Sequence, residues 1–480
     1  MFRSPLSASI VRCRTSTWMQ TVNDFMRSPL YVILIGVMSA LSSVFGLELV
    51  VYTAYILIGI FLCLFGLDLL PLMPIVICCY IAPSFANNPG RNENSIFYPQ
   101  HGGIYLIILA AVFSICLLYR LITDAEIGGR RFLSQKRSML PGMLVLGAAY
   151  MLSGIGMNNY FQYASGNLLF AFIQFVSVFL MYFVFSGSVK WDRVPRDYFA
   201  WIGLAVGFSV LAQLGQNYLS GRIFMEGVNT IDRELMATGW GMHNNIGGMM
   251  AMVLPFVFYL AMTRKHSWVY TLLATVLFFG TVASCSRTSM MIAGVEYLVC
   301  SVLLLLDKQK RRENLVVYSV TFIGVAVFAV ISFDKLLEIF ALFLSELDAI
   351  SKRDLLFING MKQYLQNPVF GGTFYPQEYI PWDWADLEAF SSFFPPRWHN
   401  TLVQIAASCG SVGLIAYGYH RFQTVKMMIK DFSREKLFIG LFVAALLGAS
   451  LLDCHFFNVG PVLLYSMALA FAENINRSEL

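Results

Sequence analysis

Charge is what this chain has least of. Only 13% of its 480 residues are charged, against roughly 25% in an average soluble domain, while 58% are hydrophobic and the mean hydropathy is +0.65. That balance excludes a soluble globular protein, and nothing in it points to a nucleic-acid partner. An apolar run before Leu30 is also missing. The first 29 residues carry Arg3, Arg12, Arg14 and Arg27 and no signal-peptide core, so the first membrane helix is expected to serve as its own insertion signal. Nine cysteines are scattered through apolar stretches without a C-x-x-C, which leaves no disulfide framework or zinc pattern, and they read as small core residues. Asp383-Trp384-Ala385-Asp386 is not D-x-D, and neither it nor Asp124-Ala125-Glu126 is backed by a nearby histidine. No metal and no cofactor is therefore expected.

What the chain does have is length in apolar runs. A hydrocarbon layer ~30 Å thick calls for about 20 residues of helix at 1.5 Å per residue. Such runs recur at 30–46, 48–66, 69–86, 103–119, 139–155, 165–186, 198–216, 243–262, 268–283, 289–306, 314–332, 399–420, 437–452 and 457–472. The expected fold is an all-α, polytopic transmembrane bundle of fourteen helices, or twelve if one hairpin of the first third is spurious. It divides into an N-terminal segment 1–29, a first bundle part 30–332, a large loop 333–398 and a second bundle part 399–472.

Lys and Arg orient the bundle, because they concentrate in cytoplasmic segments. Counting alternate connections from the N-terminus, 24 of the 33 basic residues fall on one side and nine on the other, with none in mid-helix. The expected topology is a multi-pass protein of the cytoplasmic membrane with both termini inside and the 333–398 loop outside.

The outward polar residues carry the chemistry. His399, in Pro395-Pro396-Arg397-Trp398-His399-Asn400-Thr401, opens an apolar helix at the end of that loop. It is either a base within reach of a headgroup or a helix-capping residue. Arg287, in Ser284-Cys285-Ser286-Arg287-Thr288-Ser289, is either an interface anchor or a fork for an anion, since guanidinium matches phosphate bidentately. Asn244 and Asn245 follow Gly239-Trp240-Gly241 at another outer helix mouth, as an N-cap or as the lining of a polar cavity. Glu296 is a carboxylate deep within a span, where an acid is functional or hydrogen-bonded to a neighbouring helix.

Within the loop, 335–347 reads as an amphipathic helix lying on the bilayer. Ser351 to Gln366 reads as a second helix, stopped by Asn367-Pro368 and Gly371-Gly372. The rest interleaves Phe374, Tyr375, Tyr379, Trp382, Trp384, Phe390, Phe393 and Phe394 with Glu378, Asp383, Asp386 and Glu388. Rings pack on sugar C–H faces and carboxylates accept from hydroxyls, so a glycan contact and an interfacial aromatic belt are both consistent with it.

In order along the chain, Ser286-Arg287, Arg353 with Gly360 and Asn367-Pro368-x-x-Gly371, and His399-Asn400-x-Leu402 with Gly410-x-x-Gly413 resemble the O-antigen ligase and polymerase family. The resemblance covers about residues 200–472, with His243-Asn244-Asn245 similar to the family's asparagine-bearing segment. It implies a metal-independent, GT-C-like glycosyltransferase at the outer face of the membrane, moving a glycan from an undecaprenyl diphosphate donor to a glycan or lipid-linked acceptor hydroxyl. By matching position it implies catalytic roles for His399, Arg287 and Arg353. Arg397, Trp398, Asn400, Asn244, Asn245, Trp382 and Trp384 are the further candidates for substrate contact. The ligases resemble twelve-helix bundles and fourteen is closer to the polymerases, so polymerisation of surface polysaccharide repeats, alongside other polysaccharide assembly proteins, is the expected activity and ligation its alternative. A lipid-linked glycan flippase is a different class. It is disfavoured by the lack of an internal repeat and of basic residues inside the bundle, and a purely structural subunit leaves the His and Arg residues without a purpose.

Overall fold

Polar caps set where the helices begin. Ser28 accepts from the Tyr31 amide and passes the chain to Pro29 at the first helical position, where a missing N–H costs nothing. Ser286, Ser433 and Asn400 accept from amides one turn on in the same way. Gly46, at φ 66°, closes a helix in the left-handed region that glycine enters freely.

The computed structural model describes residues 13–14, 16–83, 103–124, 132–133, 137–157, 160–221, 223, 231, 235–333, 351–374 and 398–475. Its helices are α1 (Thr17–Met26), α2 (Pro29–Phe45), α3 (Glu48–Phe65), α4 (Leu72–Ile81), α5 (Gly103–Thr123), α6 (Leu140–Met151), α7 (Tyr160–Phe175) and α8 (Met181–Ser188). They continue with α9 (Tyr198–Leu219), α10 (His243–Thr263), α11 (Ser267–Ala283), α12 (Arg287–Leu306), α13 (Arg311–Ile331), α14 (Ser351–Gln366), α15 (Thr401–Ile429), α16 (Arg434–Leu452) and α17 (Val459–Asn474). Among the described residues the only strands are a two-residue antiparallel pair, β1 (Ala237–Thr238) with β2 (Gly241–Met242), just ahead of α10.

An all-α membrane bundle is what the composition demanded, and a helix lies at each of the fourteen expected spans. Nine helices among the described residues are long and apolar enough to cross a membrane, or ten with the pair α1 and α2, which meet at 62°. Two expected spans shrink. The 69–86 run yields only α4, with 10 residues, because Asp68 Oδ1 takes the Leu70 amide and the Ser188 carbonyl takes that of Leu69, holding a turn up to Pro71. The 139–155 run yields α6, with 12 residues, because Gly154 and Gly156 turn the chain at φ 77° and 90°. At 1.5 Å per residue such helices reach only about half of ~30 Å.

The centre of the bundle is α10, 89% buried along its span, whereas α13 at 6% and α5 at 11% present their flanks to lipid. Packed around α10 are α9, α11, α12 and α16. Close approach depends on small residues: a Cβ at Gly203 of α9 would stand 2.6 Å from the Phe256 ring of α10.

Charges inside the bundle correct the reading that no basic residue lies there. Arg27 pairs with buried Asp68. Arg120 holds Asp124 at 3.1 Å and the Gly66 and Leu67 carbonyls at 3.0 and 3.1 Å. Arg137 donates to Asn474 Oδ1 and the Ser186 carbonyl, and Arg421 lies within α15, which runs on past residue 420. Sequence places these residues at span ends, but the helices overrun and pack there, and each charge is offset by a carboxylate, a carbonyl or an aromatic ring.

The breaker signals after α14 form a joint. α15 is interrupted at Gly410 (φ 65°, ψ −159°), which frees backbone groups that the segment after α14 takes up. The Gly372 amide donates to the Ala407 carbonyl (2.7 Å), and the Ser411 and Val412 amides donate to the Pro368 and Val369 carbonyls (2.8 and 3.1 Å). Gly371, at φ 73°, passes directly against the Ser408 backbone. Asn367 completes the corner, its Nδ2 donating to the Ile155 carbonyl at 2.7 Å.

Candidate functional site

Four helices, α10, α12, α15 and α17, begin at one end of the bundle, and their first residues touch. The Ser286 hydroxyl, capping α12, donates to Asn244 Oδ1 at 2.8 Å. Asn458, at the head of α17, donates from Nδ2 to Asn245 Oδ1 at 3.1 Å and lies 3.4 Å from His455 Nδ1. His455 Nε2 stands 4.0 Å from Asp453 Oδ2, and Asp453 Oδ1 faces His399 Nδ1 at 3.3 Å. The opposite end holds a separate polar set, including Arg264 with Asp197 and Tyr259 with Glu435. Helix N-termini carry a positive partial charge and unpaired amides, so four of them in contact favour an anion.

His399 is held in an uncommon conformation. Its φ of 48° is in the left-handed region, which a non-glycine residue enters only when its surroundings over-determine it. The surroundings do so. The Trp398 amide donates to Gln404 Oε1 at 3.1 Å, and Asn400 accepts from the Leu402 and Val403 amides while donating to the Leu451 carbonyl at 2.8 Å. With Nδ1 turned to Asp453, the imidazole leaves Nε2 for a reaction partner, and the side chain is 25% exposed.

Asp453 caps the end of α16. Burial alone would raise its carboxyl, but the hydrogen bond from His399, the charges of His455 and His399, and the Cys454 amide at 2.6 Å together hold it well below the usual carboxylate range. A lowered carboxyl contributes stability that is complete above the unfolded value of about 3.9 and is lost as pH falls through the folded value. The melting temperature of the wild type in detergent is therefore expected to fall more steeply below about pH 4 than that of Asp453→Asn. Parallel melting curves at pH 3 and pH 7 would contradict the pairing.

The sequence candidates separate clearly. His399, Asn400, Asn244 and Asn245 meet at this end, and Arg287 is the first residue of α12, next to Ser286. Arg353 lies on α14 one turn before Leu356, and Leu356 packs on Trp398, the neighbour of His399; the Arg353 side chain lies outside the described residues. So do Arg397, Trp382, Trp384, the 335–347 helix and the aromatic run from Tyr375. Trp398 is 1% exposed, packed with Leu356 and Ala407 and against Gly360, so it supports the His399 corner from within. Glu296 is 5% exposed, and its Oε2 has no hydrogen-bond partner among the described residues.

Asp453, His455 and Asn458 were not singled out from the sequence. A signal was present: Asp453-Cys454-His455 sits between two apolar runs, like the Trp240 to Asn245 turn, but so short a connection reads as a plain hairpin. His455 is 1% exposed and packs on Gly248, where a Cβ would lie 2.7 Å from its Cε1.

Residues 272–418 match a family model described as O-antigen ligase, a stretch that contains Arg287, Arg353, His399 and the joint at Gly371 and Gly410. No curated protein matches the chain.

Proposed function

We propose, for a chain that belongs to the O-antigen ligase family through residues 272–418, that it is a metal-independent glycosyltransferase polymerising polysaccharide repeat units at the outer face of the cytoplasmic membrane. The observation that carries the reading is the contact of His399 with Asp453 at the end where four helix N-termini meet. The donor is an undecaprenyl diphosphate-linked glycan and the acceptor a hydroxyl of another lipid-linked unit. The acceptor oxygen attacks the anomeric carbon, the bond from that carbon to the phosphate oxygen breaks, and the acceptor proton passes to His399 Nε2. Asp453 orients the imidazole and balances the imidazolium. Undecaprenyl diphosphate departs with the bonding electron pair, and Arg287, Arg353 and the helix N-termini offset its charge. Asn244 and Asn245 fix the mouth of α10 beside it, and Arg397, Trp382 and Trp384 contact the glycan.

The orientation rests on the basic residues, which favour the side opposite His399. Polymerisation is favoured over ligation because a helix lies at each of fourteen expected spans. Product analysis decides between them: purified protein with lipid-linked glycan is expected to give a ladder of lengthening lipid-linked chains. A single transfer to a distinct acceptor would replace polymerase by ligase, and product that appears only after translocation from the other leaflet would favour a flippase.

Arg287→Lys keeps the charge and loses the planar fork. Transfer is expected to fall about 10²-fold, with wild-type abundance in the membrane. Full activity in Arg287→Lys would remove the bidentate role.

A further inference from the structure

Beneath the Asp453 to Asn458 turn lies a guanidinium that the proposed reaction does not use. Arg421 sits on α15 beyond the Gly410 break, with Nη1 donating to Tyr465 Oη at 2.8 Å. That oxygen also meets His420 Nε2 at 2.9 Å and Thr424 Oγ1 at 3.1 Å. Three rings enclose the cation, with Cζ 4.2 Å from the Phe456 centroid, 4.5 Å from Tyr417 and 5.1 Å from Tyr465. Among the described residues no carboxylate pairs with it, and its buried Nε and Nη2 have no hydrogen-bond partner. A charge inside a membrane bundle is costly, and an aliphatic side chain would fill the space without that cost. What the cation adds is attraction to ring faces, strongest where water is excluded, and a flat guanidinium stacks where an ammonium cannot.

The ring nearest to it belongs to Phe456. This residue follows His455 and stands three positions after Asp453, while Arg421 is carried by the helix that His399 precedes. We propose that Arg421 is a positioning residue of the transfer site: through Phe456 it fixes the Asp453 to Asn458 turn against α15, and so registers the carboxylate with the imidazole. Both partners of the His399 and Asp453 contact are thereby referred to one helix. His455, seated on Gly248 of α10, fastens the other side of the same turn.

The inference rests on His399 and Asp453 acting together in transfer, and its test keeps the two apart. Arg421→Met, Phe456→Leu, the double variant and Arg421→Lys are assayed for kcat and KM in proteoliposomes with lipid-linked glycan, beside His399→Gly. Each of the Met and Leu variants is expected to lower kcat about tenfold with KM unchanged. The double variant is expected to lose no more than the worse single one, and Arg421→Lys to recover part of the loss because it keeps a cation over the rings. Melting temperatures are recorded for all, and if Arg421→Met melts below the assay temperature the Lys and Leu variants decide. Losses that multiply, or a rise in KM at constant kcat, would overturn the positioning role while leaving the transfer reading intact, provided His399→Gly is inactive. An active His399→Gly overturns the transfer reading itself.

Discussion

His399→Gly is expected to lower glycan transfer by about 10²–10⁴-fold, the range for loss of a positioned general base, without destabilising the protein. Glycine is the informative replacement because of the backbone. At φ 48° an alanine keeps the strain of the left-handed region, roughly 1–2 kcal/mol, whereas glycine relieves it. A capping histidine would behave differently: Asn400 supplies the cap of α15 by accepting from Leu402 and Val403, so the His399 side chain adds nothing to helix initiation. Activity should therefore collapse while the melting temperature in detergent stays level or rises. Asp453→Asn should lie between the wild type and His399→Gly, because it keeps an acceptor for Nδ1 and loses the charge that balances the imidazolium.

Gly410→Ala is the second large effect, and it acts on the fold. A Cβ at Gly410 would strike the Val369 carbonyl and the Gly371 amide, and φ 65° adds the left-handed penalty. Overpacking typically costs 1–3 kcal/mol, so with the strain a loss of roughly 3 kcal/mol or more is expected. The joint that would open carries three backbone hydrogen bonds between the segment after α14 and α15. Reduced yield in the membrane and a lower melting temperature are the measured consequences. Gly418→Ala on the same helix is the control: nothing lies within 4 Å of its added Cβ, and replacing an interior glycine should gain up to about 1 kcal/mol. If the two variants melt alike, the joint is not what holds α14 to α15.

Much of this was legible in the sequence, and the parts that were not share a cause. Ser351 to Gln366 stands as the residues read, because its stop signals are local: Asn367-Pro368 and two glycines. What local reading missed is that Gly371 and Gly410, 39 positions apart, are two faces of one contact. Asn400 could be read as a cap from its place before Thr401-Leu402, yet Trp398 reads as an interface residue and is buried, since only the packing of α14 on α15 decides. Asp453 and His455 follow the same pattern. Their meaning comes from His399, Asn245 and Gly248, which belong to distant segments. Burial of Arg120, Arg137 and Arg421 was hidden for another reason: a charge count assigns residues to span ends, while the helices continue beyond the apolar run and supply carbonyls and rings to receive them.

The central claim, that the His399 and Asp453 end of the bundle transfers glycan, is tested most directly by one time course. Purified wild type and His399→Gly, matched for melting temperature, are given lipid-linked glycan in proteoliposomes, and released undecaprenyl diphosphate is counted against glycosidic bonds formed. The account predicts one diphosphate per bond in the wild type and neither product in the variant. Equal bond formation by His399→Gly would contradict it.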